Sequence, residues 1–248
     1  MTRRLLHLYP GDRATLLAAL LTLAGGWAMG LAWAPPDAFQ GEVQRLMYVH
    51  VPTAWAALGL FAVAFLASVR VLWKRSLAAD QLAHAAVAVG LLFTALTLVL
   101  GSLWGRAVWG VWWTWDPRLT TTAILFTLFA GQLALRRAFD DAERRATVAS
   151  AAAVLAFGLV PIVHWSVVWW RSLHQEPSVL RLDGPTLDGA MLATLLVNTA
   201  GISLLAAWLV MRRLRVCRLE MRAENRRLRA RLAEAAPLAP ISPRELRG

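Results

Sequence analysis

The chain has a single cysteine, Cys217. With no second thiol there is no disulfide framework, no thiol redox pair and no Cys-x-x-Cys-His motif, so the protein is not itself a c-type cytochrome. A Walker motif and a Gly-rich phosphate loop are also missing, which excludes ATP hydrolysis by this chain. There are only 5 histidines, too few to stack along the helices of a two-haem cytochrome b. The sequence shows no internal repeat and no low-complexity stretch in its apolar part. Nothing in this inventory points to an enzyme that breaks bonds.

What the chain does have is apolar length. Of its 248 residues 58% are hydrophobic, and the mean hydropathy is +0.51. The apolar residues fall in runs at about 14–34, 48–73, 82–103, 120–135, 147–170 and 189–211. Each run is near the roughly 20 residues that cross a bilayer core at about 1.5 Å per residue. Only helices and closed barrels satisfy their backbone in lipid, and continuous apolar runs mean helices. The expected fold is therefore all-α: a polytopic membrane domain of six transmembrane helices over 1–210. A Trp-rich interfacial segment at about 104–119 lies on its outer face.

A net charge of +11 would suit nucleic acid, but its distribution argues otherwise. With the N-terminus inside, only Arg45, Arg106, Arg118, Arg171 and Arg181 fall in outside segments, and every other lysine and arginine falls inside. The positive-inside rule then sets both termini in the cytoplasm. The basic surplus reads as a topology signal with an anionic-lipid contact, not as a nucleic-acid footprint. Arg3, Arg4 and Ala32-Trp33-Ala34 mimic a secretory signal, but the first run is too long for one and is expected to remain as a helix. Beyond the last run, 211–248 forms a basic tail. Leu214, Met221 and Leu228 recur every seven residues, with Leu232 four further on. This predicts a cytoplasmic helix ending near Pro237 that rests on anionic lipid or a partner, or is a charged stop-transfer flank.

The chain holds 13 tryptophans. Trp104, Trp109, Trp112, Trp113 and Trp115 crowd one outer stretch, WGRAVWGVWWTWDPRLT, and Trp165, Trp169 and Trp170 sit on the neighbouring one. An interfacial belt explains one or two per helix end, not this density. Trp109, Trp112 and Trp113 stand at i, i+3 and i+4, which predicts one face of a helix. Gly105 and Gly110 leave room for a ligand. Asp116-Pro117 is expected to end the element. The result is a flat apolar shelf at the membrane surface, suited to a large planar ligand: a porphyrin, a quinone or an isoprenoid.

His50 (in MYVHVP) and His164 (in PIVHW) lie at the outer ends of antiparallel spans, one on each side of the tryptophan run. Ionisable groups at such depth are rare and usually functional. Two imidazoles from opposite sides can ligate a haem iron, so His50 and His164 are the candidate metal ligands. Pro52 and Pro161 stand close to them and can re-aim them. His174, in WRSLHQEPS, is a third outer-side candidate, whereas His84 reads as a snorkelling or interfacial residue at the cytoplasmic end of the third span. His7 is assigned no role. Arg45 and Arg118 could meet the carboxylates of such a ligand, or simply anchor the interface. Asp116 could bond a ligand, a histidine or its own backbone.

The tryptophan run, VHVP around His50, FDD after the fourth span and PIVHWSVVWWRSLHQ around His164 together resemble the WWD-signature haem-handling proteins of cytochrome c biogenesis. Among these the match is to the CcmC, or haem exporter protein C, family. It is close from about Val43 to Glu176, and the arginine-rich tail has no counterpart. The resemblance implies haem b held non-covalently at the periplasmic face of the bacterial inner membrane and delivered to the haem chaperone CcmE. It implies as partners the small subunit CcmD and the ATP-binding cassette subunits CcmA and CcmB, which would supply the ATP hydrolysis. It implies axial ligation by His50 and His164. The tryptophans with Asp116 would contact haem and chaperone, and Arg45 and Arg118 the propionates. A transporter moving haem across the bilayer and a haem-attaching ligase are the alternatives. The ligases of this signature are longer, and a transport path would want ligating groups at several depths.

Overall fold

A computed structural model describes residues 10–175, 178–179 and 181–235. Arg3, Arg4, His7, Pro177 and Pro237 lie outside the described residues. Among the described residues there are seven α-helices: α1 (Pro10–Ala32), α2 (Met47–Lys74), α3 (Leu77–Trp109), α4 (Pro117–Leu135), α5 (Ala142–Phe157), α6 (Leu159–Trp169) and α7 (Gly189–Ala235). Among the described residues the only β pairing is an isolated bridge between Asp37 and Gly41. Six helices are long and apolar enough to span a membrane, α5 and α6 together forming the fifth. The protein is thus an all-α, polytopic membrane protein.

Local chemistry explains where the helices stop. Arg75, at φ 52, turns the chain out of α2, and the Ser76 side chain accepts from Ala79 N–H to start α3. α3 runs past the expected 103 to Trp109, where Gly110 at φ 77 takes the left-handed cap that a side chain would disfavour. Asp116 caps the N-terminus of α4, with Pro117 in the first turn, where a missing N–H costs nothing. Asp116-Pro117 therefore begins an element and does not end one. The fifth span is interrupted at Gly158, three residues before Pro161, whose ring nitrogen cannot donate to the Phe157 carbonyl.

In lipid, apolar burial does not drive helices together, so association relies on close packing and small residues. Ala57, Ala64, Ala86, Ala149 and Ala153 are all buried between spans. At the centre Phe61 of α2 and Phe129 of α4 stack parallel at 3.9 Å. Gly90 of α3 makes room for them, since a Cβ there would lie 2.8 Å from the Phe61 ring. Val87, Leu125 and Ala153 complete this plug, all with 0% exposure.

Ion pairs lock the arginine-rich face. Arg136 grips both oxygens of buried Asp80 at 2.6 and 2.7 Å, joining α4 to α3. Asp12, near the start of α1, is held by Arg215 of α7. Arg145 of α5 reaches Glu224 of α7 at 3.2 Å. His84 does not snorkel: its ring lies under α7, with Nε2 3.3 Å from Arg213 Nη2 and Nδ1 3.6 Å from the Cys217 sulfur. The last helix continues without a break from the sixth span into the tail, as the leucine spacing predicts, at least to Ala235.

Candidate functional site

The half of the bundle opposite the arginine-rich face contains a cavity of about 290 Å³, largely apolar. α2, α3, α4 and α6 wall it, and the loop carrying Leu173, His174 and Gln175 covers it. His50, His164 and His174 all line it, as do Arg118, Trp104 and Trp109.

His50 projects from the first turn of α2. Pro52 supplies no N–H to the Tyr48 carbonyl, and the Thr53 hydroxyl donates to the His50 carbonyl at 2.7 Å. The ring stands edge-on to Trp104, centroids 5.7 Å apart. Gly101 gives it space: a Cβ at that position would come within 3.0 Å of His50 Cε1. Nδ1 of His50 is buried and has no hydrogen-bond partner. A buried polar atom left in that state is uncommon and calls for a partner.

His174 is the most firmly held of the three. Its Nδ1 lies 2.9 Å from Asp116 Oδ1, and its ring meets Trp109 edge-on at 5.0 Å. Asp116 is itself buried and fully occupied. It accepts from Ser172 Oγ at 2.7 Å, from the Leu173 N–H at 2.8 Å and from the Arg118 N–H at 2.9 Å. Burial pushes the Asp116 carboxyl up. The bonds from Ser172 and Leu173, the His174 ring and the Arg118 N–H outweigh this and hold it below the usual range. Burial pushes the His174 imidazole down by more than Asp116 raises it, and the Arg118 charge lowers it further. The net effect favours the neutral ring. A carboxylate can only accept, so Nδ1 carries the proton and Nε2 keeps a free lone pair.

His164 reaches the cavity from α6, its ring edge-on to Trp165 at 5.2 Å. Its carbonyl accepts from Arg118 Nη2 at 2.9 Å, which fixes that guanidinium at the cavity wall. Arg45 sits elsewhere. It donates to the Gly30 and Ala34 carbonyls at the end of α1 and pairs with Glu42, and it is not among the lining residues. It ties a helix end.

The tryptophans divide. Trp104 donates to Gln40 Oε1 at 2.8 Å, and with Trp109 it lines the cavity. Trp112, Trp113 and Trp115 do not continue the helical face of Trp109, because Gly110 has already ended α3. They lie on an irregular, non-helical segment and are exposed. Trp113 and Trp115 meet edge-to-face at 5.9 Å and border a shallow groove on α4. Gln40 and Gly101 carried no signal in the sequence. The weight of His174 was also hidden, because it depends on a contact across 58 residues.

Fold and site together define a multi-pass helical membrane protein with a histidine-lined cavity among its spans. The chain belongs to the heme exporter protein C family, CcmC, which matches residues 10–229. It is 42% identical over 199 residues to heme exporter protein C of Haemophilus influenzae, covering 79% of this chain and 80% of the relative. Similarity to heme exporter protein C of Escherichia coli K12 is 39% over 203 residues, covering 80% of each. Against heme exporter protein C of Bradyrhizobium diazoefficiens it is 43% over 181 residues, 72% of this chain and 69% of the relative.

Proposed function

We propose that the protein holds haem b non-covalently in this cavity, at the periplasmic face of the bacterial inner membrane, and passes it to a haem chaperone for c-type cytochrome maturation. One observation carries the reading. The cavity brings His50, with a buried ring nitrogen lacking any protein partner, together with His174, whose Nδ1 is fixed by a carboxylate. Haem would supply an iron, and imidazole nitrogens are ordinary ligands for it. A histidine that ligates a metal normally donates its other ring N–H to a carboxylate or carbonyl, as His174 does to Asp116. Trp104 and Trp109 offer flat apolar walls, and Arg118 offers a guanidinium to a propionate.

In this reading His50 and His174 would hold the iron. A second reading pairs His50 with His164, which also lines the cavity and whose carbonyl positions Arg118. The exposed Trp112, Trp113 and Trp115 would meet the chaperone, CcmE in this family's terms, with CcmD, CcmA and CcmB as further partners. Visible spectra of the purified protein, oxidised and reduced, test the assignment. Wild type should give a low-spin spectrum. His50→Ala and His174→Ala should each weaken it or turn it high-spin, with His164→Ala retaining it. The reverse order for His164 and His174 establishes the second reading, and a haem-free wild type from haem-replete cells sinks both.

A further inference from the structure

We infer that the ligand reaches this cavity sideways, out of the outer leaflet, through the seam between α2 and α6, and does not pass through the bundle. The inference rests on the haem reading of the site and adds the route and the phase from which the ligand comes.

Three observations carry it. Below the cavity the bundle is closed: Leu125 lines the floor and belongs to the same plug as the stacked Phe61 and Phe129, both fully buried. Above it, the loop bearing His174 is tied down to Asp116, and Trp104 is bonded to Gln40. At the side the ring of helices is weakest between α2 and α6. α2 packs on α3, α3 on α4 and α4 on α6, but the fifth span touches α2 mainly through α5. At Gly158 that span breaks, and its outer half, α6, packs on α4 in preference to α2. The flank of this weak seam is apolar. Ala54 and Val51 of α2 line the cavity there, and Val163 of α6, buried in the plug cluster, marks its lower end. A flat apolar ligand dissolved in lipid can slide edge-first past such residues without meeting water, and it arrives between the histidines already desolvated.

Full-length protein in phospholipid vesicles tests this, with ferric haem as probe and the growth of the Soret band as readout. Haem is supplied at a fixed free aqueous concentration while its partition coefficient is varied through the lipid composition, so that haem per lipid changes independently. The loading rate should follow haem per lipid. A second measurement uses Ala54→Trp, which fills the seam. The ratio of the loading rate from lipid to that from aqueous haem should fall at least 10-fold, whereas simple damage to the site would lower both rates together. A rate that follows aqueous haem and ignores haem per lipid, or an unchanged ratio in the variant, overturns the lateral route and leaves the haem site standing. No Soret change in wild type overturns the haem reading and the route with it.

Discussion

At the scale of single residues, Asp116 organises the site without lining it. It starts α4, accepts from Ser172 and Leu173 across the mouth, and sets the tautomer of His174. Asp116→Asn keeps the shape but loses the charge that fixes the imidazole. Haem affinity should fall about 10- to 100-fold, the usual effect of removing a group that orients a ligating histidine, as read by titration of the Soret band. Acid acts on the same pair. Because the folded His174 is depressed, the unfolded chain binds its proton more readily below the ordinary value of about 6.5. Stability should then fall as pH drops through that window. Asp116, also depressed, contributes above the ordinary carboxyl value of about 3.9 and loses its contribution only in stronger acid. His174→Gln should therefore flatten the dependence of melting temperature on pH between about 7 and 5, and an equally steep dependence in the variant would exclude His174 as its source. The sequence pointed to His50, Arg118 and Trp104 through residue type and position alone. It placed His164 ahead of His174, and the Asp116 contact that favours His174 in the proposed reading lies 58 residues away in the chain.

At the scale of elements, the apolar runs gave the number and order of the spans, but their ends were set by caps that hydropathy does not register. Gly110 ends α3 and Asp116 begins α4, so the signature stretch between them is not helical. Its i, i+3, i+4 tryptophan spacing is a coincidence of sequence. The break at Gly158 is equally invisible to hydropathy, although Pro161 marks its neighbourhood. Ion pairs could not be read at all, since Asp80 and Arg136 belong to different spans. That pair is buried and bidentate, with side-chain exposures of 6% and 10%. Asp80→Ala would leave the guanidinium uncompensated and should cost about 3–5 kcal/mol, measured by denaturant unfolding in detergent. Asp80→Ala with Arg136→Met should recover much of the loss.

At the scale of the whole molecule, the two faces differ in kind. One is stapled by arginine pairs and extended by the continuation of α7, and the other is hollow and aromatic. Past Glu224 every described side chain of α7 is exposed, so truncation there should leave the melting temperature unchanged, as surface changes generally do. Truncation after Val210 removes Arg215 and strands buried Asp12, and it should lower the melting temperature by several degrees. The aromatic plug has an electrical consequence. The Phe61–Phe129 layer and the helices below it lie between the cavity and the opposite membrane face, so in an energised membrane they carry part of the voltage. Moving one charge through the full potential costs about 2.3 kcal/mol per 100 mV. Arg118 and any carboxylate paired with it lie above that layer. A charged ligand that enters and leaves on the cavity's own side never carries its charge through the plug, and it escapes that part of the cost.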